Sequence, residues 1–284
     1  MASIVIEQQQ KNTYISNHVI QASSKQDMTF NGKALDNSFD YVIAADNHGR
    51  LNNKFMLMNI LNLIDWSTFL LNKNWKQLLI EKTCGDNSNR VGATFTIIKI
   101  YPDKFIVDWI GDSSGKIYDR DEKKELWTTK DHDYNNKEDI ENLIKNGFTI
   151  KNASDIAVKD SSTIVSVHAK LFKKNNESIN MTRSLGHSGI FANSLMNFDS
   201  ETIERNPEKN YKVIVGTDGL WQMTCKHDLE YLCNKDNDAS DISGFALSRW
   251  KQTWIWDNSQ GTMTKDIKFP EHNIDDIGVA VWNN

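Results

Sequence analysis

Tyr41-Val42-Ile43-Ala44-Ala45-Asp46-Asn47-His48-Gly49-Arg50 is the stretch on which the fold turns. Tyr41 to Ala45 is an apolar run with β-branched members, too short for a helix of its own, and reads as a buried strand. Asp46-Asn47-His48-Gly49 reads as a tight polar turn at its end, gathering a carboxylate, an amide, an imidazole and a glycine. Reacting groups are commonly carried on such loops above a rigid element. Alone, a strand that ends in Asp-Asn is ordinary turn chemistry. Its weight comes from partners elsewhere in the chain.

Working outward, Tyr14–Ile20 and Met28–Phe30 read as strands before it, with a turn at Asn31-Gly32. After it, Asn53 to Asn72 reads as one helix, apolar nearly all round and therefore well buried. A short helix at Trp75–Lys82 and a loop at 84–89 follow. Ala93–Tyr101 and Lys104–Ile110 form a hairpin about Pro102-Asp103, and a further strand starts at Lys116. A loop from Thr128 leads into a helix at Lys137–Lys145, stopped by Asn146-Gly147. Strands are expected at Ile164–Phe172, Tyr211–Gly216 and Ile277–Trp282. The later part of Leu220–Cys233 and Ser240–Trp250 are expected helices, with loops at 257–261 and 269–273. Hairpins and meanders with helices inserted between groups favour antiparallel sheets, an α+β class, over βαβ units. No repeat or linker divides the chain, so residues 13–284 read as one domain after a loosely held polar start at 1–12.

The 284 residues carry a formal charge of -5, with 39% hydrophobic and 25% charged residues, enough for a core. Nine Trp and twelve Phe make that core aromatic. The acidic balance speaks against nucleic acid or an anionic membrane as partner. No apolar run approaches the roughly 18 residues of a membrane span, and the start lacks a signal-peptide pattern. Cys84, Cys225 and Cys233 are odd in number and without a CxxC pair, so they read as free thiols in a reducing, intracellular compartment. A monomer is expected.

Three apolar strands have an aspartate at one end: Asp46 and Asp218 follow theirs, and Asp275 precedes its own. Asp112 ends a fourth. In an antiparallel sheet such ends can converge on one rim. Clustered carboxylates repel and are tolerated when a cation compensates them, and hard divalent ions take oxygen ligands. Each aspartate taken singly is equally a cap or turn residue.

Five segments in order resemble the metal-dependent protein phosphatases of the PP2C family. Ala45-Asp46-Asn47-His48-Gly49 is similar to its Asp-Gly-His-Gly motif. Gly92-Ala93-Thr94 with Gly111-Asp112-Ser113 resembles its Gly-Ser/Thr-Thr and Gly-Asp-Ser motifs. Thr182-Arg183-Ser184-Leu185-Gly186 resembles Ser/Thr-Arg-Ser/Ala-Leu-Gly. Thr217-Asp218-Gly219-Leu220-Trp221 resembles Ser/Thr-Asp-Gly-Leu-Trp, and Asp275-Asp276-Ile277 the Asp-Asn-Ile/Ala before the last strand. The likeness spans about residues 14–284 and includes Asp131-His132 and the helix running to Gly147.

The resemblance implies a four-layer αββα sandwich, two antiparallel sheets flanked by helices. It implies two divalent ions, Mn²⁺ or Mg²⁺, at one end. Asp46 would bridge them, Asp218 and Asp275 would hold the first, and the Asn47 carbonyl would contact the second. Asp112 and Asp218 would contribute to a weaker third site. A hydroxide shared by two ions roughly 4 Å apart would attack phosphorus in line. His48 would protonate the departing serine or threonine oxygen of a phosphorylated protein.

The departures from the family pattern are equally specific. Gln26, before Asp27, stands where the family has a glutamate on the second ion, so that ion should bind more weakly. Ala22 stands where an arginine grips the substrate phosphate, and Lys25 is the nearest replacement. Gln222 and His187 each stand where the family has aspartate. These losses leave two readings. One is an active but divergent serine/threonine phosphatase; the other is a pseudophosphatase, a PP2C-shaped binding module with little or no turnover. His132, His168 and Arg183 read as structural, and Trp250, Trp254 and Trp256 as core.

Overall fold

The computed structural model describes residues 13–22, 24–49, 55–84, 91–133, 135–151, 156–159, 164–167, 171–174, 177–188, 195–257 and 263–284. The start at 1–12, the loop at 85–89, His168 and the loop at 258–261 lie outside them.

The chain opens with β1 (Tyr14–Ile20), β2 (Asp27–Lys33), β3 (Asp40–Gly49), α1 (Phe55–Asn62), α2 (Trp66–Phe69) and α3 (Trp75–Thr83). It continues through β4 (Val91–Ala93), β5 (Phe95–Ile100), β6 (Lys104–Ile110), β7 (Ser114–Asp119), β8 (Lys124–Thr128) and α4 (Lys137–Lys145). Short strands follow: β9 (Thr149–Lys151), β10 (Ile156–Lys159), β11 (Ile164–Val167), β12 (Leu171–Lys174), β13 (Glu177–Ile179) and β14 (Leu185–Gly186). The last part is β15 (Asp199–Glu204), β16 (Tyr211–Gly216), α5 (Asp218–Trp221), α6 (Leu229–Cys233), α7 (Ala239–Lys251), β17 (Trp254–Asp257), β18 (Met263–Ile267) and β19 (Ile277–Asn283).

Two antiparallel sheets dominate. One runs β1-β19-β16-β7-β8; the other runs β14-β4-β3-β5-β6-β15, with β2 also paired to β3. The sequence of β3 explains the layering. Its residues 41–45 are all buried because both faces are covered. Val42 and Ala44 turn inward with Ile98, Phe105 and Val107 to meet Val213, Val215 and Ala280 of the other sheet. Tyr41, Ile43 and Ala45 turn outward onto Leu57, Leu61, Trp66 and Leu79 of the first helices. Ile214, Ile277 and Val279 pack outward from the first sheet onto Leu220, Ile242, Ala246 and Trp250. Alternation at period two thus places helices on both outer faces, giving the expected αββα, α+β architecture.

Three local expectations need correcting. Asp46 to Gly49 is no turn: β3 continues through it, pairing Asn47, His48 and Gly49 with Ala93, Gly92 and Val91. The ladder to β4 supplies the hydrogen bonds that a turn would otherwise have to satisfy. Asn31-Gly32 lies inside β2, where Gly32 faces Tyr41; a Cβ there would stand 2.7 Å from the tyrosine oxygen. The turn comes later, at Leu35–Ser38, with Asn37 at φ 59°. The single helix expected over 53–72 is broken between α1 and α2. Asp65 there draws its side chain back onto the Ser67 and Thr68 hydroxyls at 2.6 and 2.7 Å, starting a new helix. That region is also less buried than its composition suggests, since Leu63 is 87% exposed and Phe55 48%.

The strands β4, β8, β9, β10, β13, β14, β15, β17 and β18 go beyond the sequence reading, and the span 164–172 holds parts of two strands, β11 and β12, rather than one. Among the described residues no helix is long and apolar enough to cross a membrane.

Candidate active site

The antiparallel order brings one end of several strands to a single rim. Asp27 opens β2 directly opposite Asp46 on β3. Asp112 follows β6, Asp131 follows β8, Asp218 follows β16, and Asp275 precedes β19. Burial, first, and then the charges of Asp27, Asp218, Asp275 and Asp112 push the Asp46 carboxyl well above its usual range. Burial likewise raises Asp27, against a hydrogen bond from Thr217, with Asp275, Asp218 and Asp276 adding to the rise. Asp275 is raised by burial and by Asp218. Asp112, Asp131 and Asp218 are each pushed up to about 7, by burial first and by neighbouring carboxylates after it. Six carboxyl groups therefore share one electrostatic bowl.

Backbone and hydroxyl groups fix the bowl's shape. Thr217 donates its N–H to the Gly278 carbonyl at 3.0 Å. Its hydroxyl accepts from the Gly278 N–H at 2.9 Å and donates to Asp27 Oδ2 at 2.6 Å, so it ties β2, β16 and β19 together. Thr94 accepts from the Asp46 N–H at 3.1 Å and shares a hydrogen bond with Ser113 at 2.5 Å. Gly219 sits so close to the Asp276 carbonyl that a Cβ would lie 2.0 Å from it, which only glycine permits beside Asp218.

Asp276 faces away from the bowl. It is 1% exposed, and its carboxylate accepts from the Ala22 N–H at 2.5 Å, the Ser24 hydroxyl at 2.6 Å and the Gln26 N–H at 2.6 Å. It shapes the segment that presents Gln26 and Asp27.

The donor set suits a hard divalent cation. All six groups are carboxylates, and the Asp46 carboxylate accepts no hydrogen bond among the described residues. An anion so placed needs positive charge from outside the chain. Among the described residues, no three Asp, Glu, His or Cys side chains are already gathered into a chelate.

The sequence of the chain, compared with protein-family profiles, matches the family described as "Protein phosphatase 2C" over residues 8–245. The chain belongs to the protein phosphatase 2C family. No curated protein matches the sequence. Among solved structures, the chain is similar to a serine/threonine phosphatase of S. agalactiae, at 17% identity and a TM-score of 0.57, covering 95% of this chain and 99% of that one. It is similar to a sex determining protein of C. elegans, at 14% identity and TM-score 0.60, covering 95% of this chain and 64% of the other. It also resembles the catalytic domain of the phosphatase PstP, solved with two manganese ions, at 12% identity and TM-score 0.51, covering 95% and 97%. At these identities the likeness is one of fold.

Against the PP2C pattern, the structure places each departure. Ala22 is half-buried against the α5–α7 side. Lys25 sits at φ 54° with its side chain exposed. The Gln26 carbonyl accepts from both the backbone N–H and the side-chain amide of Asn47, at 3.1 and 2.7 Å. Gln222 donates its amide to Asp218 Oδ2 at 2.7 Å, engaging one oxygen of that carboxylate. His187 stands against His48, with nitrogens 2.7 Å apart.

Arg183 is structural. It donates from Nε and Nη2 to Asp139 and from Nη1 to Asp199, tying α4 to β15. His132 accepts from the Gly111 N–H at Nδ1, which leaves its Nε2–H to donate to Asp199 at 3.1 Å. Trp250 and Trp254 are buried, as expected. Sequence reading placed Asp27, Asp131, Asp276 and His187 only within the family pattern and gave them no role in the site. Asp27 had a usable signal, because it neighbours Gln26 and begins a strand. Asp131 had none beyond its place in the family pattern.

Proposed function

We propose that this PP2C-family chain is a metal-dependent hydrolase of phosphoserine and phosphothreonine on proteins. The observation that carries the reading is the Asp46 carboxylate, set among four other carboxylates with no donor to it among the described residues. Asp46, Asp218 and Asp275 would hold Mn²⁺ or Mg²⁺, with Asp112, Asn47 and Gln26 at the further positions. When bound, the ions supply a water of lowered pKa as nucleophile. Asp27 and Thr217 keep Asp46 and its neighbours in register. Lys25, exposed at the rim, is the cation nearest the position of the absent arginine in sequence.

His48 would act as general acid. Its imidazole is pushed well below its ordinary range by burial and by His187, so the ring is neutral before substrate arrives. The negative phosphoryl group is what would favour a proton on it. That proton then passes from Nε2 to the departing serine or threonine oxygen as the P–O bond breaks, returning the ring to its neutral form.

The second reading, a binding module without turnover, is favoured by one contact: Gln222 engages an Asp218 oxygen that the first ion would use. Hydrolysis of 4-nitrophenyl phosphate and of a phosphothreonine peptide, with Mn²⁺ or Mg²⁺ and beside Asp218→Ala, separates the two. Turnover that vanishes in the variant is the expected result. A folded parent protein that turns over neither substrate at millimolar metal removes the enzyme reading.

A further inference from the structure

A pocket of about 340 Å³ opens on the outer face of the first sheet, where β7 and β8 meet α5 and α6. Its volume falls within the range of small-molecule sites, about 300–1,000 Å³. None of the six rim aspartates lines it. Its apolar walls are the Trp221 indole, Leu229 and Leu232, and its polar lining includes Lys116, Tyr118, Glu125 and Lys226.

The walls are held before any ligand arrives. Trp221 Nε1 donates to the carbonyls of Ser114 and Gly216, at 3.1 and 3.0 Å, which fixes the indole plane. The Cys225 N–H donates to Asp228 at 2.7 Å, and Arg249 grips the same carboxylate through both terminal nitrogens, at 2.5 and 2.7 Å. The wall leading to Asp228 is therefore tied to α7. Lys123, in the turn between β7 and β8, reaches Glu230 of α6 at 2.8 Å.

The polar groups of the lining are unbalanced. Tyr118 is 1% exposed, and its hydroxyl has no hydrogen-bond partner among the described residues. Buried hydroxyls are nearly always bonded, so this one marks a missing partner. Burial, and after it the charge of Glu125, push the phenol well above its usual range, so it stays an O–H donor. Lys116 pairs with Glu125 at 2.9 Å and lies 5.0 Å over the Trp221 ring. Lys226 is exposed and makes no ion pair among the described residues. The lining thus offers an unbonded O–H and one uncompensated positive charge, in a chain whose formal charge is -5. A neutral acceptor would answer the hydroxyl alone; a carboxylate answers the hydroxyl and is drawn by the charge as well.

We propose that this pocket is a binding site for a small carboxylic acid with an apolar body, its carboxylate accepting from Tyr118 within the field of Lys116 and Lys226, and its body lying against Trp221, Leu229 and Leu232. The site is separate from the carboxylate bowl yet shares α5 with it, through Asp218 and Trp221. It does not depend on turnover.

Phenylacetate, phenylacetamide and 2-phenylethylamine share one apolar body and differ in the group it carries. Ligand-observed NMR titration of the full chain, with Mn²⁺ and again with a chelator, gives their affinities. Phenylacetate should bind with a Kd of about 1 mM or tighter, the amide about threefold or more weaker, and the amine weakest. Tyr118→Phe should weaken phenylacetate about tenfold, the effect of one hydrogen bond to a charged group. It should leave the urea midpoint of the free protein no lower, since the hydroxyl has no partner to lose. Lys226→Gln, at an exposed position, should weaken phenylacetate about two- to fivefold. Absence of phenylacetate binding, equal binding of all three compounds, or binding that needs Mn²⁺, where the acid sits on the ions, overturns the proposal. So does unchanged affinity in Tyr118→Phe, and so does a less stable Tyr118→Phe protein, whose hydroxyl was then already satisfied.

Discussion

Replacing Asp276 by alanine should unfix the segment that carries Gln26 and Asp27. The carboxylate is 1% exposed and accepts three hydrogen bonds, from the Ala22 N–H, the Ser24 hydroxyl and the Gln26 N–H, at 2.5, 2.6 and 2.6 Å. Hydrogen bonds to a charged group contribute about 1.5–3 kcal/mol each, and an orphaned buried donor costs about 1–3 kcal/mol. Simple addition overstates the loss, because Ala22, Ser24 and Gln26 are themselves only half-buried and water can reach part of the gap. Removing Asp276 also relieves its repulsion with Asp27 and Asp275. A net loss of about 2–4 kcal/mol follows. Asp276→Asn should be nearly as harmful, since its amide would point a donor at donors. Urea unfolding gives the stability change, and hydrogen exchange over residues 20–30 shows whether the loosening is local. A loss below about 1 kcal/mol for Asp276→Ala, with exchange in that segment unchanged, would refute the role assigned to these three bonds.

Gln26→Glu restores a negative charge beside Asp27 and should tighten binding of a second Mn²⁺ measured by titration calorimetry; unchanged affinity would mean that Gln26 does not face the ions. Asp199 is drawn down to about 2 by its hydrogen bond from His132 and by Arg183. Its folded pKa lies below the ordinary 3.8, so between about pH 4 and 2 the unfolded chain binds more protons and stability falls with acidification. Urea midpoints over that range should drop less steeply in Asp199→Asn, by a margin that solvent screening keeps modest because the side chain is 39% exposed.

The sheets were legible because their strands obey simple periodicity. Tyr41 to Ala45 and Ile277 to Trp282 carry no polar side chain, and Tyr211 to Gly216 carries only Lys212, as suits strands covered on both faces. β15, Asp-Ser-Glu-Thr-Ile-Glu, escaped for the opposite reason: it is a largely exposed strand paired only to β6, and its polar residues give no apolar signal. The long helix failed because apolar content was read without its capping chemistry; Asp65 with Ser67 and Thr68 writes a new start into the run. In the site, strand-end aspartates could be picked out one by one. What could not be read was which aspartate faces inward. Asp275 and Asp276 are adjacent, yet one faces the carboxylate bowl and the other holds the Ala22–Gln26 backbone. That division is set by strand register, which no local pattern encodes.

The departures from the PP2C pattern share a direction. Gln26, Gln222 and His187 each put a neutral group where the pattern has a carboxylate, and Ala22 removes the cation that would hold substrate phosphate. The strand ends still crowd six carboxyl groups, three of them pushed to about 7. The carboxylates around Asp46 still repel one another, while Gln222 takes up one oxygen of Asp218. The neutral groups are also not idle. Gln222 donates to Asp218 and His187 meets His48 at 2.7 Å, whereas the contact at Gln26 is made by its backbone carbonyl, which any residue there would offer. Under the phosphatase reading, these substitutions suit a site that holds its first ion more firmly than its second. That reading predicts that the metal dependence shifts in Gln26→Glu, where a second carboxylate joins the set, while the fold is kept.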